Sequence, residues 1–299
     1  MNTYENLEKA AIEIKNRAKE AIKTEGYKGF ISTKRASDLI LPIHEAIKKD
    51  FIRFNIMEEQ ILPKLGERTG EMKIFGSQCS KRMDISILPK YINFKEEILD
   101  ITDSKNKRKI DKYGKNVTEN SLFVDIKSQF CSIGKNQGTL RTNFIGLNAD
   151  IKERCPKTII GNLTVLPIYE FDTEAMKEHK MRFSNNPINV EEYLIRFNKI
   201  QDTSSVNNSS ITKFNKVALV LVDFSQKIPH IFTSHQELVK YGLVSSDFNM
   251  KYSYDNIKYT NFHESLINIY HNEHDIENIM KQESHKKPSR VPKKYKSKK

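Results

Sequence analysis

Apolar residues recur at helical spacing from the start of the chain. Leu7, Ala11, Ile14, Ala18 and Ile22, with Lys and Glu between them, predict an amphipathic helix over 4–24, ended by Gly26 and Gly29. A second helix is expected from Ser37, a good capping residue, to about position 55. Its stripe is Leu39, Ile43, Ile47, Phe51 and Phe54, and Glu45 lies off that stripe. From 72 onward the period changes. Residues 72–75 and 83–88 read as short strands, the second ended by Pro89. Residues 90–118 form a polar, lysine-rich insertion, and 122–130 read as the strongest central strand. A Ser/Gly/Asn-rich loop (Ser132, Gly134, Asn136, Gly138) then leads into a helix from Thr139 to about Arg154, stopped by Pro156. A further apolar strand spans 158–168 with an interruption at Gly161 and Asn162. The second half predicts helix over 173–200 with breaks at 185–187, a Ser/Asn loop over 201–212, a buried strand over 216–224, and helices at 234–242 and 260–283. The expected fold is α/β: a central mixed sheet flanked by helices, with a C-terminal helical extension. Without repeats or a clear linker, 1–285 reads as a single domain followed by a basic tail over 286–299.

Composition narrows the class. The chain has 299 residues, 37% hydrophobic and 29% charged, enough for a full core and polar enough for a soluble protein. No run approaches the roughly 18 to 20 apolar residues of a membrane span, and no secretory signal is expected from the first residues. Three widely spaced cysteines (Cys79, Cys131, Cys155) argue against a disulfide framework or a zinc knuckle and for a reducing, cytoplasmic setting. The net charge is +12, but the stretch from Lys286 to Lys299 carries eight Lys and Arg and no acid, which leaves +4 on the remainder. A second basic cluster holds Lys105, Lys107, Arg108, Lys109, Lys112 and Lys115 around Asp111. Such runs attract phosphates without sequence preference, and read equally as solvated loops.

Two acids interrupt apolar strands. Asp84 sits in RMDISILP (82–89) and Asp125 in FVDIKSQ (123–129), where Lys127 follows at i+2 and so shares the face of Asp125. Two carboxylates beside one ammonium suit Mg²⁺ and the activation of water against a phosphodiester, with the Ile126 carbonyl as a further oxygen ligand. An Asp-x-Lys on a strand reads also as a plain ion pair at a sheet edge. Glu45 would add a third carboxylate if its helix packs behind the sheet. Ser128, Gln129, Ser132, Lys135, Asn136, Gln137, Arg141 and Asn143 carry the side chains that phosphates and base edges use, and equally those that cap a helix. Gly134 and Lys135 lack Walker spacing, and no Gly-x-Ser-x-Gly nucleophile motif is present. His271 and His274 stand at i,i+3, a weak zinc spacing that reads as a solvated helix surface.

The order helix, strand pair with Asp then Asp-x-Lys, helix, strand resembles the core of the PD-(D/E)xK nuclease superfamily over about 36–168, with 90–118 as an excursion from the strand pair. More narrowly, DIKSQFCSIGKNQGT (125–139), GNLTVLPIYEFD (161–172) and ALVLVDFS (218–225) resemble type II restriction endonucleases, over about 30–275. The resemblance implies a restriction-endonuclease-like core and Mg²⁺-dependent, sequence-specific cleavage of double-stranded DNA. It implies Asp84 and Asp125 as metal ligands, Lys127 as the catalytic lysine and Glu45 as the helix acid. Lys107, Arg108 and Lys109, with the loop after Asp125, would contact DNA. A C2 homodimer and a cognate DNA methyltransferase partner follow from the same likeness. Met83 stands where many members have proline, and if the excursion were misplaced Asp100 or Asp103 would replace Asp84. The alternatives are a repair or junction nuclease on this core and a non-enzymatic DNA-binding protein.

Overall fold

The structure is a computed structural model that describes residues 3–90, 93–102, 107–201 and 210–274, the side chains of 136, 137 and 139–141 excepted. The tail over 286–299, Lys105 and Asp103 lie outside the described residues. Helix α1 spans Glu5–Arg35 and buries Leu7, Ala11, Ile14, Ala18 and Ile22, the expected stripe. It does not stop at Gly26. The backbone kinks there at φ 62° and the helix resumes. A side chain at Gly26 would meet the Met176 carbonyl at 2.8 Å, so the residue serves a close approach as well as a bend. Helix α2 spans Leu41–Arg53, four residues later than Ser37 predicts. Ser37 adopts φ 66° and its side chain does not cap the helix; its carbonyl accepts the Leu41 N–H instead.

Six strands build the central sheet: β1 (Ile61–Leu62), β4 (Ile85–Ile87), β7 (Leu122–Ser128), β8 (Ile159–Pro167), β9 (Lys216–Asp223) and β10 (His230–Ile231), in that spatial order. The β7–β8 and β8–β9 pairs are parallel and the outer pairs antiparallel, so the sheet is mixed. Strands β8 and β9 are buried on both faces, which explains their continuous apolar runs. Gly161 and Asn162 do not interrupt β8. A side chain at Gly161 would lie 2.5 Å from Leu266, so the glycine admits helix α8 (Phe262–His274) against the sheet.

One face of the sheet packs Val124, Ile126, Leu163 and Val220 against α1, α2 and α8. The other packs Phe123, Ile160, Leu219 and Leu221 against α4 (Ile133–Arg154) and α6 (Val190–Ile200). Helix α4 starts at Ile133, after Ser132 at φ 54°, and so absorbs most of the loop expected before Thr139. The helix expected over 173–200 is two pieces, α5 (Thr173–Lys177), capped by Asp172, and α6, capped by Asn189. Helix α7 spans His235–Lys240. Among the described residues no helix is long and apolar enough to cross a membrane.

Two small ribbons lie between β1 and β7. The first pairs β2 (Lys73–Phe75) with β3 (Ser80–Arg82), and β3 has no counterpart in the apolar pattern because Ser80, Lys81 and Arg82 are all polar. The second pairs β5 (Glu97–Thr102) with β6 (Arg108–Asp111) inside the lysine-rich insertion, before α3 (Gly114–Glu119). Its outward face presents Ile98 and Ile110 as a cross-strand pair, 70% and 52% exposed. Helix α4 anchors both ribbons. Asp150 accepts the Gln78 and Cys79 N–H groups at 2.7 and 3.3 Å. One turn on, Arg154 reaches Asp111 and Glu97, each at 2.7 Å, and the Phe75 carbonyl at 3.0 Å.

Candidate functional site

Asp84 and Asp125 meet because β4 pairs with β7 in a register that sets Ile85 opposite Val124. Asp84 stands one residue before β4, free of the ladder, and its Oδ2 accepts the Ile126 N–H at 2.6 Å. Lys127 Nζ then lies 2.7 Å from Asp125 Oδ1, 3.3 Å from the Ile126 carbonyl and 3.7 Å from Asp84 Oδ2. The three oxygens expected to surround a cation thus converge on one ammonium. Asp100, the substitute for Asp84, is 98% exposed and pairs loosely with Arg108 at 3.9 Å.

Asp125 has no exposed surface. Its Oδ1 also takes the ammonium of Lys81 from β3, and its Oδ2 takes the Asn162 amide at 3.2 Å. Asn162 lies opposite Asp125 in the β7–β8 register and is itself held by the Thr164 hydroxyl at 3.0 Å. Burial alone would push the Asp125 carboxyl up, but the ammonium groups of Lys127 and Lys81 outweigh it and hold the group below the usual carboxylate range. Burial also opposes charge on Lys127, yet Asp125 and Asp84 together keep its pKa above the ordinary lysine value. Lys81 shifts the other way on the same carboxylate, because burial costs its ammonium more than Asp125 returns.

A cavity of about 580 Å³ opens beside this cluster, lined by Asp84, Ile126, Lys127 and Ser128 from the sheet side and by Lys34, Leu41, His44 and Lys48 from the helices. Glu71 also faces it; burial first, and then the charge of Asp84, raises its carboxyl above the usual range. The helix residue turned toward Asp84 is His44. It is 7% exposed, and its Nε2 has no hydrogen-bond partner among the described residues. Burial lowers its pKa against the pull of Asp84, so the ring is neutral at pH 7. Glu45 does not line this cavity. Its carboxylate pairs with Lys48 and accepts the Gly66 N–H at 2.9 Å, in an adjoining groove that also holds Arg17 and shares Arg68 with the cavity. The helix therefore brings an imidazole rather than a carboxylate to the cavity beside Asp84. His44, Lys48 and Phe51 recur at helical spacing, so the sequence did carry a signal that His44 faces inward.

Of the residues expected to touch DNA, Ser128 lines the cavity. Gln129 sits beside it with a buried Oε1 that lacks a partner among the described residues. Ser132, Lys135 and Asn143 are exposed along the start of α4, whereas the side chains of Asn136 and Arg141 lie outside the description. Lys107, Arg108 and Lys109 belong to the β5–β6 ribbon and do not line the cavity. His271 is exposed, but His274 is buried rather than solvated, and burial lowers its pKa to about 4. Among the described residues no three His, Cys, Asp or Glu side chains are grouped to hold a metal. Comparison with family models, curated proteins and solved structures finds no match for this chain.

Proposed function

We propose that this chain is an endodeoxyribonuclease that hydrolyses phosphodiester bonds in double-stranded DNA with Mg²⁺, in the manner of a type II restriction enzyme. The observation that carries the reading is the convergence of Asp84, Asp125 and the Ile126 carbonyl on Lys127 beside an open cavity. The donors fit the ion: Mg²⁺ takes hard oxygens, needs only one or two carboxylates, and fills its remaining positions with water. Asp84, Asp125 and the Ile126 carbonyl would hold it. When bound, it supplies Lewis acidity toward a phosphoryl oxygen and toward water.

The chain's own groups do the positioning. Asn162 and the Ile126 N–H fix the two carboxylates, so neither has to reorganise as charge develops. Lys127, held protonated by both acids, orients the attacking water, which loses its proton to bulk water as it adds to phosphorus, and steadies the negative charge that grows on the phosphoryl oxygens as the bond to the leaving 3′ oxygen breaks. Ser128 and Lys34 on the cavity wall meet the flanking phosphates. Cutting both strands of a symmetric site calls for a C2 homodimer with one such cluster per strand, and a host with such an enzyme needs a methyltransferase to protect its own DNA.

One observation favours a non-enzymatic DNA-binding protein: the two acids are already balanced by two ammonium groups, as in a structural ion-pair cluster. Plasmid cleavage with Mg²⁺ and an EDTA control separates the two, using wild type and Lys127→Ala. Cleavage lost in the variant with DNA binding retained supports the nuclease. Absence of cleavage by wild type on long natural DNAs sinks it. Discrete fragments favour sequence specificity, and a smear favours a repair or junction enzyme on the same core.

A further inference from the structure

Asp125 has no exposed surface, and each of its two oxygens already has a partner. Oδ2 belongs to Asn162, while Oδ1 is shared by Lys127 and Lys81. A divalent cation that bridges Oδ1 to Asp84 therefore competes with an ammonium group. The two lysines are not equally replaceable. Lys127 grows from the central strand β7 and is held as well by Asp84 and the Ile126 carbonyl. Lys81 grows from β3, a three-residue strand outside the central sheet, and among the described residues Asp125 is its one hydrogen-bond partner. Its side chain retains 27% exposure, so it has a route to water. Two ammonium groups and a divalent ion around two carboxylates would also leave an excess of positive charge at close range, which the departure of one lysine relieves.

We infer that Lys81 is the exchangeable cation of this site: it neutralises Asp125 in the metal-free protein and leaves that carboxylate when a divalent cation enters. This rests on the metal reading proposed above and adds to it. The site gains a built-in competitor that keeps the buried acid compensated during folding and weakens cation binding by the cost of its own displacement. The β2–β3 ribbon then differs between the metal-free and the metal-bound protein.

Mn²⁺ uptake by the full chain, read from the free-ion electron paramagnetic resonance signal, tests this without any catalytic assay. Lys81→Met should bind Mn²⁺ more tightly than wild type, on the order of tenfold, and Lys81→Arg should not. Asp125→Asn should abolish the uptake that the Met variant strengthens. In wild type, acetylation of Lys81 by an amine-reactive ester, read by mass spectrometry, should rise on saturation with Mn²⁺; this measurement needs no variant to fold. Equal or weaker binding by a folded Lys81→Met, or Lys81 labelling indifferent to Mn²⁺, overturns the inference while leaving the metal reading standing. Uptake by the Met variant alone supports it. Uptake by neither chain removes the metal reading and the inference together.

Discussion

The most quantitative consequence of this fold concerns His263 on α8. Its ring lies among Phe51, Phe54, Tyr259 and Phe262, with centroid separations from 4.6 to 6.0 Å, and it is 1% exposed. It bonds the Ile47 carbonyl, while Nε2 has no hydrogen-bond partner among the described residues. Burial lowers its pKa from 6.5 to about 3. Below pH 6.5 the unfolded chain takes up a proton that the folded chain refuses. The unfolded state then binds more protons, and stability falls as pH drops through the window from 6.5 to 3. The slope is about 1.4 kcal/mol per pH unit, so roughly 2 kcal/mol is lost between pH 6.5 and 5. His263→Phe removes this proton uptake; it gives up the bond to the Ile47 carbonyl, about 1 kcal/mol, and also deletes the unpartnered Nε2, an offsetting gain of similar size. Urea unfolding at pH 7, 6 and 5 should show wild type losing roughly 2 kcal/mol relative to the variant across that range. His274 and His44 stay in both proteins and cancel from the difference. Parallel curves for the two proteins would refute the burial of a neutral imidazole between α2 and α8.

Three further outcomes are expected. Gly161→Ala brings a methyl group to 2.5 Å from Leu266 and 3.0 Å from Phe262, and should lower stability by about 1–3 kcal/mol in denaturant titration; an unchanged midpoint would mean α8 does not rest on β8. Cys79 is exposed, yet burial of its thiol and the bond to Asp150 raise its pKa to about 11. Alkylation at pH 8 should run about a hundredfold slower than for an ordinary thiol, and a normal rate would break the assignment of its partner. His44→Leu deletes a buried nitrogen without a partner and should raise the melting temperature, by the equivalent of about 1 kcal/mol; a drop would show that the imidazole is bonded.

Much of this was readable from residue pattern, and the failures have physical causes. The stripe of α1 and the apolar run of β9 follow from periodicity, since burial on one or both faces imposes it, whereas the pairing of the Asp84 and Asp125 segments is an expectation that periodicity alone does not give and the β4–β7 register supplies. Polar residues within buried elements were harder to place. Asn162 looks like a break in a strand until its partner Asp125 is seen across the register, and Lys81 sits in a strand with no apolar position to betray it. On the second helix the sequence points to Glu45 alone, and it is the neighbouring His44, about 100° away around the helix, that lines the cavity with Asp84. Ser37, a capping residue type, takes positive φ, and its carbonyl rather than its hydroxyl meets the start of α2.

Asp150 and Arg154 give α4 a mechanical role. Two successive turns of α4 grip the bend before β3 and the base of the β5–β6 ribbon. Substituting Arg154 would therefore loosen both ribbons at once, since its guanidinium holds Asp111 and Glu97 at the base of one and the Phe75 carbonyl at the end of β2 in the other.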